Sequence, residues 1–491
     1  MSVVKVISGG LVVALAVWLW WYWDATSVAA QSGTVVWSEP IELSNPAVQA
    51  WAPAIASDMA GNVHVMWSQT MTEDPPPGEG DTLFYARWDG EQWSSPTDVL
   101  VSPQGAATEF PDLAVTPDGT LHAVWGTGGI TSKLMYARAP ACCANDARNW
   151  SQPVSLGMPV NLTTALVADE QGRLHIAFAS LETGNIVYRR SDDGGITWPV
   201  WVEIPGGMHQ NDEFTAYPRL AVDGRGRVHA VWTVRPWPGR LVMYARSDDG
   251  GETWNEPQMI DSADRMDYEE GYGPILIDVE THGDDEVHLI WDGAPTVERN
   301  HIWSSDGGDT WSAPSLLIPE ITDAGRSGWN DMVVDSAATL HAVALKQPWH
   351  ASWSGGIWSR STDIGTEKTR CAEWMRITLS LGNRLHVVWV DRCTQPNPVW
   401  YVQGQMSAPA VAAQALPTVM PTPTWAAPTV APSPITESVP PLVRVQSDLD
   451  NSGLPHNKTL PNPAEALLIG LIPALLIVGM VCVVSIWRAR Q

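Results

Sequence analysis

Basic residues are scarce in this chain. Its 491 residues include 28 Lys and Arg against 54 Asp and Glu, a formal net charge of −26. That balance argues against a nucleic-acid partner, whose phosphates call for a basic surface. It suits the solubility of an exposed ectodomain, and an anionic ligand would need a local arginine cluster to overcome the global field. Cysteine is also sparse, with five residues, which excludes a small disulfide-built scaffold. Long apolar runs are confined to the two ends. Phe is rare, with four residues, but Trp occurs 28 times. So strong a bias suggests a repeat that places Trp at fixed positions.

The repeat is visible as Ser247-Asp248-Asp249-Gly250-Gly251-Glu252-Thr253-Trp254, with copies beginning at Ser191 and Ser304. All three fit S-x-D-x-G-x-T-W and follow an aromatic strand-like run. Asp can bond turn amides, Gly takes positive φ, and Trp buries its ring, so the octapeptide reads as a hairpin turn. This pattern resembles the Asp-box, or BNR, repeat of sialidases and related β-propellers. Recurrence at a fixed period marks a repeat architecture.

A second signature is an apolar-His-apolar-x-aromatic strand. It occurs at His64, His122, His175, His229, His288, His341 (without its aromatic) and His386. Each copy is followed by an aromatic strand, an Asp-box or a reduced form of it, and a strand often opening Trp-Ser-x-Pro. Trp88–Trp93 reads as a shortened box and Ser361–Gly365 as one that has lost its Trp; Ile357-Trp358-Ser359 reads as the aromatic strand before it. Four short antiparallel strands per unit describe a propeller blade. The expected fold is all-β: a propeller over 35–405 with seven four-stranded blades, six being the alternative. The last unit lacks a fourth strand, and Trp37-Ser38-Glu39-Pro40 precedes any complete unit. The N-terminal segment therefore supplies the missing strand and removes the exposed edges.

Residues 1–30 read as a signal peptide or uncleaved signal anchor. Residues 406–464 read as a Pro/Thr/Ala-rich stalk, 466–487 as a transmembrane helix, and 488–491 as a cytoplasmic tail bearing arginines. The expected location is the cell membrane, single-pass with the propeller outside, or two-pass if the N-terminal segment is retained. Cys371 and Cys393 flank a hairpin whose turn is Gly382-Asn383, and they face each other across it, as a disulfide requires.

The seven strand histidines occupy equivalent positions in different blades, too far apart for a metal. They read as structural, each ring packing on its neighbouring blade. No metal and no cofactor is expected. The Asp-boxes also read as structural, because in sialidase-like propellers they lie away from the site. Function is expected on the opposite face, in the loops entering each blade and joining its second and third strands. There the resemblance implies an acid, a Tyr–Glu nucleophile pair and an arginine clamp for a carboxylate. The candidates are Asp212 as acid, Glu269 or Glu270 with Tyr272 as the pair, and Arg235, Arg265, Arg299, Arg326 and Arg392 as clamp. Trp237 and Trp329 are candidate sugar-stacking anchors, and Trp51, Trp349 and Trp353 also read as loop tryptophans. The Phe/Tyr-Arg-Ile-Pro motif of sialidases has no counterpart: Val48–Pro53 contains no Arg. Two readings stand side by side. One is a monomeric surface propeller that recognises a glycan or a surface protein; the other is an active exo-sialidase or related glycoside hydrolase.

Overall fold

The computed structural model describes residues 34–45, 47–71, 80–102, 106–128, 132–156, 164–180, 183–204, 214–235, 241–262, 273–294, 299–320, 329–344, 346–367 and 369–417. These residues form seven antiparallel sheets of four or five strands. Blades one to seven begin with Ala50–Ser57, Glu109–Val115, Thr164–Ala168, Phe214–Val222, Gly273–His282, Asp331–Val334 and Ala372–Ser380. Each first strand packs against the first strand of the next blade, and Ala372–Ser380 packs against Ala50–Ser57. The ring is therefore a closed seven-bladed propeller. Its outer strand in blade seven comes from the N-terminus, where Val36 pairs with Gln405 and Trp37 with Gly404. Closure leaves no inner sheet edge open to another chain.

A polar relay explains the repeated histidines. In blade four, His229 Nδ1 meets the hydroxyl of Tyr244 on the third strand at 2.8 Å. Its Nε2 lies 3.3 Å from Asp223, in the turn after the first strand. The Tyr244 hydroxyl reaches the carbonyl of Gly307, in the Asp-box of blade five, at 3.3 Å. Blade three repeats this through Asp169, His175, Tyr188 and Gly250. In blades three and four the histidine thus reaches the neighbouring blade through a tyrosine, whereas His288 of blade five, paired with His301, packs directly on Trp353 of blade six with centroids 4.8 Å apart. Burial holds His122 and His386 neutral, with pKa values pushed down to about 3.

The tryptophan excess has the same origin. The third-strand ring of each blade meets one Trp of the next blade edge-on or tilted. The pairs are Tyr85–Trp150, Tyr136–Trp198, Tyr188–Trp254, Tyr244–Trp311, His301–Trp358, His350–Trp37 and Tyr401–Trp93, with centroids 4.7 to 6.4 Å apart. Each such pair contributes about 0.5–1.5 kcal/mol beyond its buried area. Trp37 occupies the box-tryptophan position of blade seven, so ring closure is chemical as well as topological.

Blade six departs from the sequence reading. Its third strand is Trp349–Ser354, and Ile357–Trp358 is the strand after the turn. The hairpin between them turns at Gly355 and Gly356, both at positive φ. A two-glycine hairpin thus replaces the Asp-box, and Ser361–Gly365 is not its degenerate copy. Trp353 is 6% exposed and belongs to the core, not to a loop.

Two disulfides lie among the described residues. Cys371 and Cys393 are bonded, as expected, with Cα atoms 5.5 Å apart. Cys142 is bonded to its neighbour Cys143, where the Asp-box of blade two would stand. Arg138, Arg190 and Arg246 each donate to a box-glycine carbonyl of the next blade. Arg87 of blade one donates instead to the carbonyl of Cys142. The vicinal disulfide therefore takes the place of a glycine turn.

Residues 406–417, expected to begin the stalk, lie along the face that carries the Asp-boxes. Met406 N donates to Asn383 O, Val411 N to Leu381 O and Gln414 N to Met59 O. These contacts tie the strap to the turns of blades seven and one. The signal segment at 1–30, the rest of the stalk and the apolar run at 466–487 lie outside the described residues. Among the described residues, no helix is long and apolar enough to cross a membrane.

Candidate functional site

The two faces of the ring are built differently. On one face the three Asp-boxes are self-contained turns. Asp249 Oδ1 accepts from the amides of Glu252 and Thr253 at 3.0 and 2.8 Å, and its Oδ2 accepts from the Thr253 hydroxyl at 2.6 Å. A Cβ on Gly251, at φ +98°, would lie 2.1 Å from the ring of Tyr188. The Thr197 and Thr310 hydroxyls and amides hold Asp193 and Asp306 down at about 2. The Ser, Thr and central Asp side chains of the motif are bonded inside the turn, and a glycine carbonyl of each box is bonded to the preceding blade. These groups are not free to bind a ligand.

On the other face the first strands bulge. Pairing with the second strand slips between Trp51 and Ala54, Glu109 and Asp112, Ala216 and Arg219, Ile275 and Asp278, and Glu373 and Arg376. In each bulge a residue other than glycine sits at positive φ: Ala52 at 41°, Phe110 at 45°, Tyr217 at 53°, Leu276 at 53° and Trp374 at 51°. Left-handed backbone is costly for bulky residues and recurs at sites where it re-aims a side chain. Here it turns the side chains towards the axis. Phe110 of blade two reaches Trp374 of blade seven, with centroids 6.0 Å apart, and Trp329 at the entry to blade six, at 6.4 Å. Tyr217 of blade four meets Trp329 edge-on at 5.4 Å. Residues from four blades thus form one aromatic cluster across the channel mouth. Arg392 lies 5.2 Å above Trp374 and Arg376 lies 5.9 Å from Trp329. The Cys371–Cys393 bond ties together the two segments that carry Trp374 and Arg392.

Two residues further along these strands the channel turns polar. Asp112, Arg219, Asp278, Asp331 and Arg376 line a cavity of about 130 Å³, with Glu280 beside them. Arg219 Nε lies 3.7 Å from Asp278 Oδ1. Asp112 accepts from Leu166 N, and Asp331 from Ile377 N, each at 2.9 Å and each from the next blade. Burial raises Asp112, Asp278 and Glu280, and Glu280 reaches about 8. Among the described residues, no group of three or more His, Cys, Asp or Glu is arranged to hold a metal ion.

Of the candidates read from the sequence, Trp329 stands in the aromatic cluster. Arg299 is enclosed at 1% exposure and paired with Asp292, whose carboxyl burial raises to about 7. Arg235 ends the second strand of blade four, its backbone opposite Phe214. Asp212, Glu269, Glu270, Tyr272, Arg265, Arg326 and Trp237 lie outside the described residues. Sequence reading missed Phe110, Trp374 and the channel layer. A signal was present: Ala52-Pro53, Phe110-Pro111 and Tyr217-Pro218 recur at a fixed distance before the turn that ends each first strand.

Fold and turn chemistry together define an Asp-box propeller. A family model described as a BNR repeat-like domain matches residues 76–271. That stretch spans the third strand of blade one to the end of blade four, so the match bears on that part of the ring. No curated protein matches the sequence. Among solved structures, an ulvan lyase, a polysaccharide lyase, is similar at 12% identity with a TM-score of 0.50, over 74% of this chain and 95% of that one. At that identity the likeness shows the fold. The NanB sialidase of Streptococcus pneumoniae is similar at 11% identity and a TM-score of 0.42, over 78% and 72% of the two chains. An α-L-arabinofuranosidase of Fusarium graminearum is similar at 12% identity and 0.41, over 76% and 97%.

Proposed function

We propose that this protein is a surface-displayed propeller that recognises a glycan through the face opposite its Asp-boxes. The observation that carries the reading is the aromatic cluster of Phe110, Tyr217, Trp329 and Trp374, held across the channel mouth by left-handed bulges. Aromatic faces stack on the apolar faces of sugar rings, and anchors of this kind dominate binding energy. The other face is occupied by turn networks and by the strap of residues 406–417. Export and tethering rest on the apolar runs near each end of the sequence, with 466–487 as the anchor and the propeller outside. A surface protein carrying the glycan is an equivalent partner.

The test is binding of the full-length chain to immobilised glycans. Trp329→Ala and Trp374→Ala are expected to weaken binding by about 1–3 kcal/mol each. Asp249→Ala is expected to leave the affinity of the folded protein unchanged. A ligand that both tryptophan variants still bind at full strength, or that maps to the Asp-box face, would refute the assignment of faces.

Catalysis is the second reading, favoured by the family match. It assigns Glu269 or Glu270 with Tyr272 as nucleophile pair and Asp212 as acid. Its carboxylate clamp would draw on Arg235, Arg265, Arg326 and Arg392, since Arg299 is enclosed and paired with Asp292. A fluorogenic sialoside separates the readings. Hydrolysis that disappears when Glu269, Glu270 and Tyr272 are replaced together, in a folded protein, would establish the enzyme.

A further inference from the structure

The turn between the third and fourth strands of blade two is held by a different chemistry from its counterparts. In blades three, four and five that turn is an Asp-box, fixed by its own Ser, Asp and Thr side chains. In blade two the chain reads Pro140-Ala141-Cys142-Cys143-Ala144, and its two cysteines are bonded to each other. A bond between adjacent residues closes no loop of chain, so it gains next to nothing in loop-closure entropy. Its effect is local. It fixes the peptide unit between the two residues, where three successive carbonyls are each taken by a side chain. Cys142 O accepts from the guanidinium of Arg87 in blade one. Cys143 O accepts from Asn149 Nδ2 at 2.8 Å, and Ala144 O from Trp150 Nε1 at 2.7 Å. Trp150 in turn meets Tyr85 of blade one edge-on. Two contacts between blade one and this turn therefore depend on how the Cys142–Cys143 unit is held. Cys143 is exposed and Cys142 half-buried. In the other disulfide Cys371 is buried, and strand pairing of Ala372 with Asp391 keeps its two ends together whether or not they are bonded.

We propose that Cys142–Cys143 is a thiol–disulfide exchange site for an external dithiol, and that its reduction loosens the junction of blades one and two. A thiolate of the dithiol attacks the exposed Cys143 sulfur and the bond to Cys142 breaks. Cys142 leaves as a thiolate, which the Arg87 guanidinium on its own carbonyl favours. The second thiol of the dithiol then attacks the mixed disulfide, and Cys143 is released in turn. The protein gains two electrons and two protons, and the dithiol becomes a disulfide. The 142–143 peptide unit is then free to rotate, and Arg87 and Trp150 lose their fixed acceptors. The Asp-box turns of blades three to five contain no cysteine, so their junctions do not respond.

The test uses the full-length chain with Cys482 alkylated beforehand, titrated with dithiothreitol, then labelled and mapped by mass spectrometry. Cys142 and Cys143 are expected to be labelled at a dithiothreitol concentration about tenfold below that needed for Cys371 and Cys393. At that concentration, hydrogen-exchange protection in 83–88 and 141–150 is expected to fall about tenfold, while 228–235 and 241–247 stay constant. Cys142→Ser with Cys143→Ser is expected to show the same loss without reductant and no further response to it. If that variant does not fold, the titration and the exchange of the parent protein decide alone. Reduction of both disulfides together, or of Cys371–Cys393 first, would overturn the proposal. So would unchanged protection in 83–88 and 141–150, either with the vicinal bond reduced or in the folded serine variant.

Discussion

The two faces of this ring use the same strands for opposite purposes. On the Asp-box face, equivalent positions carry equivalent residues: His, Tyr or His, Gly and Trp recur blade after blade and satisfy one another across each blade junction. On the opposite face, equivalent positions carry different residues. One bulge position holds Ala52, Phe110, Tyr217, Leu276 and Trp374, and the layer below holds Ala54, Asp112, Arg219, Asp278 and Arg376. Repetition closes a ring because every junction must be the same. A ligand site in the middle needs the reverse, since identical residues around an axis cannot distinguish one side of a ligand from another.

The comparison breaks most completely if closure is removed. Deleting residues 34–43 takes away the outer strand of blade seven and the Trp37 ring against His350. Loss of cooperative folding is expected, seen as a missing thermal transition and rapid proteolysis. A deletion variant that melts like the parent would show that the ring does not need its N-terminal strand.

Acid is expected to act on the repetitive face. Burial pushes the folded-state pKa of His122, His301 and His386 to about 3, against about 6.5 when unfolded. Their contribution is therefore complete above about 6.5 and lost as pH falls towards 3, amounting to several kcal/mol. Melting temperature should fall steeply across that window. A melting temperature unchanged down to pH 4 would contradict the relay.

A smaller effect separates the mouth from the rest of its blade. Breaking the Cys371–Cys393 bond by Cys371→Ser with Cys393→Ser is expected to cost about 3 kcal/mol, judged from denaturant midpoints, since the bond closes a separation of 22 residues. It should also free Arg392 from Trp374 and weaken binding at the mouth. Unchanged binding in the folded double variant would detach the disulfide from the site. Smallest is Asp249→Ala, expected to lose about 1–3 kcal/mol of stability by opening one turn network. Equal stability in that variant would mean the box aspartate is dispensable.

The sequence by itself determined the blades, their number and their closure. Those features follow from local chemistry repeated at a fixed period, so Ser247–Trp254, the strand histidines and the orphan Trp37 carried them without any knowledge of contacts. It misled in blade six, where Ser361–Gly365 has the residues of a box but Gly355-Gly356 makes the turn, because any tight hairpin with positive φ fits there. Only the tertiary structure decided the mouth and the channel. Phe110, Trp329 and Trp374 are far apart in the chain and share no motif. Likewise, nothing in the residues around Asp112 or Arg376 says that they face one cavity. Those neighbours exist because seven inner strands converge on an axis, and convergence is a property of the closed ring rather than of any stretch of its sequence.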